Sequence, residues 1–314
     1  SPKRLLFVVS IVLLIGCMPS VASPGAPAGN TAAPVAEATA ETIPTTGLAV
    51  QPVSNNQVEG CVTEYDEAVD YFPDKVTLQE AVGFQVEYFN NYKVVTVLTP
   101  YRDAEETFQY LLVQCGTPTP SGYEDALTLE VPIQSIISLS NRYLPSLRVL
   151  DQLDKLVGVD SIEGIYDPQV LQLAEAGTIT AVGLGADVNV EQVIALEPDL
   201  VMAFAGVQAE ANAHPKLLEA GVNVAINAEY MENTALGRAE WLKYVALFFN
   251  QEAKATEYFD GTLNRYQELA ALASAAENKP TVLWGLPGKD TWFMPGGNGF
   301  VARLLEDAGA SYPW

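Results

Sequence analysis

The sequence contains little positive charge and almost no histidine. Its 314 residues include 16 Lys and Arg against 39 Asp and Glu, which gives a formal net charge of −23, with one His and three Cys. The scarcity of Lys and Arg argues against nucleic-acid binding, because counterion release from phosphates requires clustered positive charge. The single His excludes a multi-histidine site for bare zinc or manganese, so we expect no resident metal.

The apolar content is sufficient for one large domain or two smaller ones. Apolar residues make up 49% of the chain, and Val, Leu and Ile are spread along it, which argues against a disordered acidic tail. No stretch of 18 apolar residues follows residue 16. The sequence after that point therefore predicts no membrane-spanning helix.

Residues 1–16 are predicted to be an export signal. Two basic residues precede an apolar run at 5–15, which is too short to cross a bilayer comfortably. The following Leu-Ile-Gly-Cys, which ends at Cys17, resembles the lipobox of bacterial lipoproteins. This resemblance implies that Cys17 is acylated and begins the mature chain. The alternative is an ordinary secretory signal cleaved near Ala22.

Residues 17–60 are predicted to be a flexible linker. The stretch is rich in Ala, Pro, Thr, Val, Ser and Gly and contains no Lys or Arg, so it cannot bury enough apolar surface to offset its chain entropy. A lipid on Cys17 would then be the only membrane anchor. We expect an exported protein that is held at the cell membrane and faces the periplasm or the cell exterior.

Two cysteines remain outside the lipobox-like motif. In exported proteins such cysteines usually pair, so we expect a disulfide between Cys61 and Cys115. A catalytic thiol is the alternative, but no plausible His partner accompanies it. The only His, His214, is expected at the surface, in a loop beside a helix.

The chain between these cysteines differs in pattern from the chain that follows. Alternating segments at 84–88 and 92–99, a turn at Asn90 and Asn91 and a third segment at 107–113 predict a small antiparallel sheet. From residue 132 to 226 short apolar strands alternate with helices. This alternation predicts a parallel α/β layer, which binds ligands beyond the carboxyl ends of its strands.

Several motifs in this part resemble periplasmic binding proteins of ABC importers, of the iron-siderophore and cobalamin type. The helix, Pro-Asp and strand at 188–201 are the most similar to that family. Further segments that resemble it lie at 70–75, 132–140, 153–159, 236–243 and 248–250. The resemblance extends over residues 68–314.

The resemblance implies a bilobal α/β fold, in which two parallel-sheet lobes are joined by a long spine helix. Residues 61–232 would form the N-terminal lobe, 233–277 the spine helices and 278–314 the start of an incomplete C-terminal lobe. The residues themselves predict one helix at 252–276, about 37 Å long. Two packed helices within one domain are the alternative.

The resemblance also implies a function in transport. We expect a substrate-binding lipoprotein of an ABC transporter, a monomer that delivers a ferric chelate (siderophore), heme or corrinoid to a permease and its ATPase. No cofactor of its own is implied. Two alternatives remain open, which are direct ferric-ion binding through tyrosines and a sensor or receptor built on the same fold.

Enzyme motifs are incomplete in this sequence. Gly-Lys-Asp at 288–290 lacks the glycine spacing and the Ser or Thr of a phosphate-binding loop, and Gly-Leu-Gly at 183–185 is half of a dinucleotide fingerprint. No Gly-x-Ser-x-Gly elbow occurs in the chain. We therefore expect binding without catalysis.

Candidate ligand contacts are aromatic and arginine side chains beside the predicted strands. They are Arg142, Tyr143, Tyr166, Phe204, Tyr230, Trp284 and Trp292. Aromatic rings offer flat apolar walls to a chelate or macrocycle, and arginine pairs with carboxylates or catecholates. Phe204 and Trp284 fit a core position equally well, and Arg238 is expected to pack or cap a helix.

One further residue is assigned a role only by the resemblance. The family docks onto its transporter through acidic residues on the outer rim of each lobe, and Glu210 lies at the position that matches the first-lobe acid. An exposed helix residue without a partner is the alternative. The second-lobe counterpart would fall beyond Trp314.

Overall fold

The computed structural model describes residues 53–314, which form two main sheets around a shared core. The export signal, Cys17 and most of the predicted linker lie outside the described residues. Among residues 53–314, none of the helices combines the length and the apolarity needed to cross a membrane.

The first sheet has four strands in the order β1-β2-β3-β4. They are β1 (Phe84–Tyr88), β2 (Tyr92–Val97), β3 (Phe108–Gln114) and β4 (Leu127–Val131). The first three are antiparallel, as predicted, whereas β4 runs parallel to β3 and was not predicted. The expected disulfide between Cys61 and Cys115 is present, with the two Cα atoms 4.9 Å apart. It fastens the segment before β1 to the end of β3.

The second sheet is parallel throughout, with the order β7-β6-β5-β8-β9. Its strands are β5 (Ile136–Ser138), β6 (Leu156–Val159), β7 (Thr180–Ala181), β8 (Leu200–Ala203) and β9 (Val224–Ile226). Its helices are α1 (Leu144–Val149), α2 (Pro168–Glu175), α3 (Val190–Ala195) and α4 (His214–Glu219). This arrangement confirms the parallel α/β fold that the strand and helix alternation predicted.

Local sequence explains where two of these helices begin. The Asp167 carboxylate accepts hydrogen bonds from the backbone N–H groups of Gln169 and Val170, ahead of a proline in the first turn of α2. The Asn189 side chain caps α3 by accepting from Gln192 N–H. Both caps satisfy donors that a helix N-terminus leaves free.

Two tyrosines join the edge of the parallel sheet to the rest of the fold. Ile226, on the outer strand β9, donates its backbone N–H to the Tyr110 hydroxyl at 2.7 Å, and its carbonyl accepts from the Tyr244 hydroxyl at 2.8 Å. Tyr110 lies on β3 and both tyrosines are buried. The two side chains therefore satisfy a strand edge that would otherwise carry unpaired backbone groups.

Two consecutive helices follow the parallel sheet. Helix α5 (Ala235–Leu247) is buried over most of its length, and helix α6 (Glu252–Ser274) is buried only near its start, at Glu252, Ala255 and Phe259. The 23 residues of α6 span about 34 Å. The long helix predicted at 252–276 is thus present and ends two residues earlier.

The last segment contains a small hairpin and one helix. Strands β10 (Leu286–Pro287) and β11 (Trp292–Phe293) pair antiparallel, and helix α7 (Phe300–Asp307) follows. Before the hairpin, Thr281 forms an isolated parallel bridge with Ser311. The domain boundaries assigned from the sequence stay predictions.

Buried carboxylates of α5 and of the turn before it hold the chain that precedes β1. Glu240 accepts the backbone N–H groups of Gln79, Glu80 and Ala81 at 2.7 to 3.0 Å, together with the ammonium of Lys243 at 2.7 Å. Glu232 accepts hydrogen bonds from the backbone N–H groups of Val82 and Gly83 and from the indole N–H of Trp241. The five consecutive backbone donors at 79–83 are therefore satisfied by two side chains.

A third buried carboxylate joins the first sheet to the start of α6. Lys93, on β2, donates to Glu252 at 2.7 Å, to the Leu247 carbonyl at 2.6 Å and to Asn250 at 2.9 Å, and the Lys93 and Glu252 side chains are fully buried. Burial lowers the pKa of Lys93, and the charge of Glu252 opposes that shift. Three acceptors around one ammonium are what a buried cation needs to remain paired.

Replacing Glu240 tests how much these contacts stabilise the fold. We expect Glu240→Ala to lower the free energy of unfolding by about 3 to 5 kcal/mol, because it leaves the Lys243 ammonium buried without its partner. Urea unfolding measured by circular dichroism checks this value. Glu268→Ala is the control, since Glu268 pairs with Arg265 at the surface, and its cost is expected to stay below about 1 kcal/mol. Equal effects of the two substitutions would contradict the assignment.

Candidate ligand-binding cleft

The strand order of the parallel sheet locates a crevice. From β5 the chain first moves outward through β6 and β7 and then returns to the other side of β5 with β8 and β9. Ligands of open α/β sheets bind at the carboxyl ends of the strands on either side of such a switch point. Arg142 follows β5, Phe204 follows β8 directly, and Glu229 and Tyr230 follow β9. Four residues from three loops thus meet at one edge.

Arg142 and Glu229 form the charged centre of this edge. The Arg142 Nε lies 2.8 Å from a carboxylate oxygen of Glu229, and the side chains are 47% and 15% exposed. The second oxygen, Oε2, is buried and has no hydrogen-bond partner among residues 53–314. Burial raises the pKa of Glu229, while the positive charge of Arg142 opposes the shift. The pair therefore holds one satisfied and one unsatisfied carboxylate oxygen.

Three aromatic rings surround the guanidinium of Arg142. Its Cζ lies 5.6 Å from the ring centre of Tyr230, 5.8 Å from that of Phe204 and 6.0 Å from that of Tyr143. These distances are within the range of cation–π attraction. The rings orient the guanidinium while leaving about half of the side chain exposed to a ligand.

The hydroxyl groups of the two tyrosines are already engaged. Tyr143 is buried and donates to the Asn227 carbonyl at 3.0 Å, and Tyr230 donates to the Ala205 carbonyl at 2.6 Å. Burial is the main cause that raises the pKa of both tyrosines. Tyr143 therefore acts as a core residue whose ring borders the cleft, and Tyr230 presents its ring rather than a free phenol.

Two adjoining cavities open at this edge. The smaller one, of about 290 Å³, is lined by Arg142, Tyr143, Glu229 and Arg238, among others. The larger one, of about 580 Å³, is lined by Tyr230, Arg238 and residues of three other segments. Arg238 and its neighbours thus separate two spaces that together have the size of a small-molecule site.

Arg238 has the packing and capping role expected of it, and it also lines both cavities. Its guanidinium donates to the carbonyls of Glu232 and Tyr230 at 3.0 and 2.9 Å. The Cζ atom lies 3.7 Å from the ring centre of Phe300, the first residue of α7. Burial lowers the pKa of Arg238. This side chain therefore ties the last segment of the chain to the cleft.

Three of the predicted contact residues lie outside this cluster. Tyr166 is 90% exposed on the loop before α2, and Trp284 and Trp292 are exposed at the C-terminal hairpin. None of the three lines either of the two cavities. Their assignment as ligand contacts stays a prediction.

The prediction for His214 is wrong. His214 is the first residue of α4 and is buried, with its ring packed edge-on against Phe108 at 5.7 Å between centres. Burial lowers its pKa, and its Nδ1 has no partner in the described part of the chain. The physical reason is tertiary packing, because the first turn of α4 lies against Phe108 of β3, a residue far away in sequence.

The order of strands along the chain identifies Glu229 as a residue of this edge, but no sequence pattern identifies Arg102, which lines the larger cavity. Glu229 follows β9 at the same sheet edge as Arg142, so topology predicts their proximity. Arg102 belongs to a loop of the first sheet, between β2 and β3. No local pattern places that loop beside the second sheet, because the contact depends on how the two sheets pack.

Comparison with known proteins shows which family this chain resembles. The sequence model described as "Periplasmic binding protein" matches residues 136–312, more than half of the chain. An uncharacterized lipoprotein of Methanocaldococcus jannaschii is 23% identical over 283 residues, covering 79% of this chain and 67% of the relative. A second uncharacterized lipoprotein of that organism is 26% identical over 202 residues, covering 59% and 51%. The chain thus spans about two thirds of the length of the first relative and about half of the length of the second.

A solved structure is similar at lower coverage. A possible iron-binding (periplasmic solute-binding) protein of Staphylococcus epidermidis is 21% identical with a TM-score of 0.47, covering 58% of this chain and 67% of the other. The family match includes every strand of the parallel sheet and both long helices. The resemblance noted from sequence motifs is therefore confirmed, and the chain belongs to the periplasmic binding protein family, whose members are substrate-binding proteins of transporters.

Proposed function

We propose that this protein is the substrate-binding lipoprotein of an ABC importer for an anionic ferric chelate. The observation that carries the proposal is the half-exposed guanidinium of Arg142, held among three aromatic rings at the switch point of the parallel sheet. A planar cation with flat apolar walls suits a ligand that combines negative charge with aromatic or conjugated surface. Catecholate chelates and heme have this combination.

The charge distribution supports an anionic ligand. The chain has a net charge of −23, yet each of the two adjoining cavities is lined by two arginines, Arg142 and Arg238 in the smaller and Arg102 and Arg238 in the larger. Positive charge collected in a concave site of an acidic protein attracts anions locally, because low-dielectric walls focus the field. A corrinoid without net negative charge would use the aromatic walls but not the arginines.

The mechanism is reversible binding without covalent chemistry. The ligand's anionic group pairs with Arg142 in place of Glu229, and its apolar surface covers Phe204 and Tyr230. The Glu229 carboxylate, with its raised pKa and unsatisfied oxygen, is the internal group that the ligand must displace. Binding proteins of ABC importers pass their ligands to a permease that works with an ATPase.

Direct capture of ferric ion through tyrosinates is less well supported. The hydroxyl groups of the cleft tyrosines Tyr143 and Tyr230 donate hydrogen bonds to backbone carbonyls. Burial raises their pKa, so the phenols remain protonated at neutral pH and are poor iron ligands. A sensor or receptor built on the same fold is the second alternative, and it would bind its ligand in the same cleft.

Three further parts of the proposal concern membrane attachment, docking and oligomeric state. Export and lipid attachment at Cys17 are proposed from the lipobox-like motif, and the two relatives are named lipoproteins. Glu210 is exposed in a short 3-10 turn between β8 and α4, where an acidic side chain is accessible for docking to the permease. We propose that the protein acts as a monomer.

Ligand titration of the full chain tests the proposed function. We expect the wild type to bind a trianionic ferric tris-catecholate and Arg142→Gln to bind it at least about tenfold more weakly, because a charge-assisted hydrogen bond is lost. Neutral ferrichrome should bind both proteins alike. Calorimetry measures the dissociation constants, and Arg265→Gln, at the surface pair on α6, is the matched control. Absence of binding to every ferric chelate, heme and cobalamin would refute the proposal.

Glu229→Gln tests the displaced counter-ion. We expect this variant to bind the ferric tris-catecholate about tenfold more tightly, because Arg142 is freed and one repulsive charge is removed. The raised pKa of Glu229 also means that the carboxylate takes up a proton at a higher pH than an ordinary glutamate. The advantage of the variant over the wild type should therefore shrink as pH falls from 7 to about 5. Titrations across this range check both effects, and weaker binding by the variant would show that Glu229 contacts the ligand favourably.

A further inference from the structure

We propose that the β2–β3 loop, residues 98–107, forms a third wall of the cleft and that Arg102 binds a second anionic group of the ligand. The inference rests on the proposed function and extends it, because Arg102 lies outside residues 136–312, the part that matches the family. The loop belongs to the first sheet, which the family match does not include. Recognition by this loop would be a property of this chain rather than of the matched fold.

The loop is fixed at the cleft by its own contacts. Tyr101 is half-buried against the core on one side of the parallel sheet, and its hydroxyl donates to Glu106 at 2.8 Å. The Tyr230 hydroxyl lies 3.4 Å from the Pro100 carbonyl. The loop is therefore held just before Arg102 by Tyr230 and by the packed ring of Tyr101, and the hydrogen bond from Tyr101 to Glu106 connects the two sides of Arg102.

A tight turn presents the Arg102 side chain at its corner. The Ala104 N–H donates to the Tyr101 carbonyl at 3.3 Å, which closes a four-residue turn with Arg102 and Asp103 at its centre. Asp103 has a φ of 60°, a conformation that aspartate tolerates better than most residues. Central residues of such a turn direct their side chains away from the backbone hydrogen bond, and Arg102 lines the larger cavity.

The larger cavity combines two cations with polar and aromatic walls. Arg102, Tyr230, Asn233, Arg238 and Phe300 border its 580 Å³. Arg238 is committed to two backbone carbonyls, whereas Arg102 is exposed and forms no salt bridge within residues 53–314. The positive charge of Arg102 acts on the Tyr230 hydroxyl and opposes the rise of its pKa that burial causes. Arg102 is thus the cation of this cavity that is available to a ligand.

The two cavities suit one ligand with separated negative charges. Arg142 lines the smaller cavity and Arg102 the larger, and Arg238 lines both. A chelate with several catecholate or carboxylate groups could engage both outer arginines at once. A neutral chelate gains nothing from Arg102, so the residue determines specificity among chelates rather than binding in general.

The test compares Arg102→Gln, Arg102→Lys and the control Arg265→Gln in the full chain. The probes are trianionic ferric tris-catecholate and neutral ferrichrome, each titrated at low and high salt. We expect Arg102→Gln to bind the trianionic chelate about tenfold more weakly, with a smaller salt dependence, while its binding of ferrichrome is unchanged. Arg102→Lys should recover most of the affinity, because the positive charge is retained. Thermal unfolding of each variant, expected to be unchanged at this exposed position, verifies folding.

The outcomes separate this inference from the proposed function. If the wild type binds the trianionic chelate and Arg102→Gln binds it as well as Arg265→Gln does, the role of Arg102 is refuted and the proposed function stands. If Arg102→Gln weakens the binding of both chelates equally, the loop supports the shape of the cleft but Arg102 does not distinguish anionic from neutral ligands. This result also refutes the inference. If the wild type binds neither chelate, heme nor cobalamin, the proposed function fails, and the inference fails with it.

Discussion

The structure depends on buried carboxylates along helices α5 and α6 and the turn before them, which hold the first sheet and the segment before it. Glu232 and Glu240 accept the backbone donors at 79–83, and Glu252 pairs with Lys93 of β2. A buried charge is tolerated only where donors or a counter-ion surround it, so each carboxylate fixes one arrangement of the chain around it. The sheet and the helices cannot shift past one another without leaving such a charge unsatisfied.

This constraint has a functional consequence at the cleft. Because β2 is held to the start of α6 and β3 contributes Tyr110 to the edge of β9, the loop between these two strands reaches the carboxyl ends of the parallel sheet. The cleft is thus built from both sheets, although only the second one belongs to the part that matches the periplasmic binding protein family. The first sheet supplies Arg102, and the second supplies Arg142 and Glu229.

The charge of the molecule is used in two opposite ways. Over the chain as a whole, acidic residues exceed basic ones by 23, which favours solubility and repels anionic surfaces. In the cleft, three arginines line the two cavities, and Glu229 is the acidic side chain among the lining residues and pairs with Arg142. Aromatic rings around Arg142 hold its guanidinium in place without neutralising it. An anionic ligand therefore meets local attraction on a protein that repels anions elsewhere.

The parallel α/β layer, the long helix α6 and the family could be predicted from the sequence, because periodicity, turn residues and local motifs act over short distances along the chain. Topology at the strand ends also brought Arg142, Phe204 and Tyr230 together. Three features required the folded structure: β4 joins the first sheet, His214 is buried, and Arg102 lies at the same cleft as Arg142 and Glu229. These features depend on contacts between segments far apart in sequence. A local pattern does not indicate which distant segment a strand, a ring or a loop will contact.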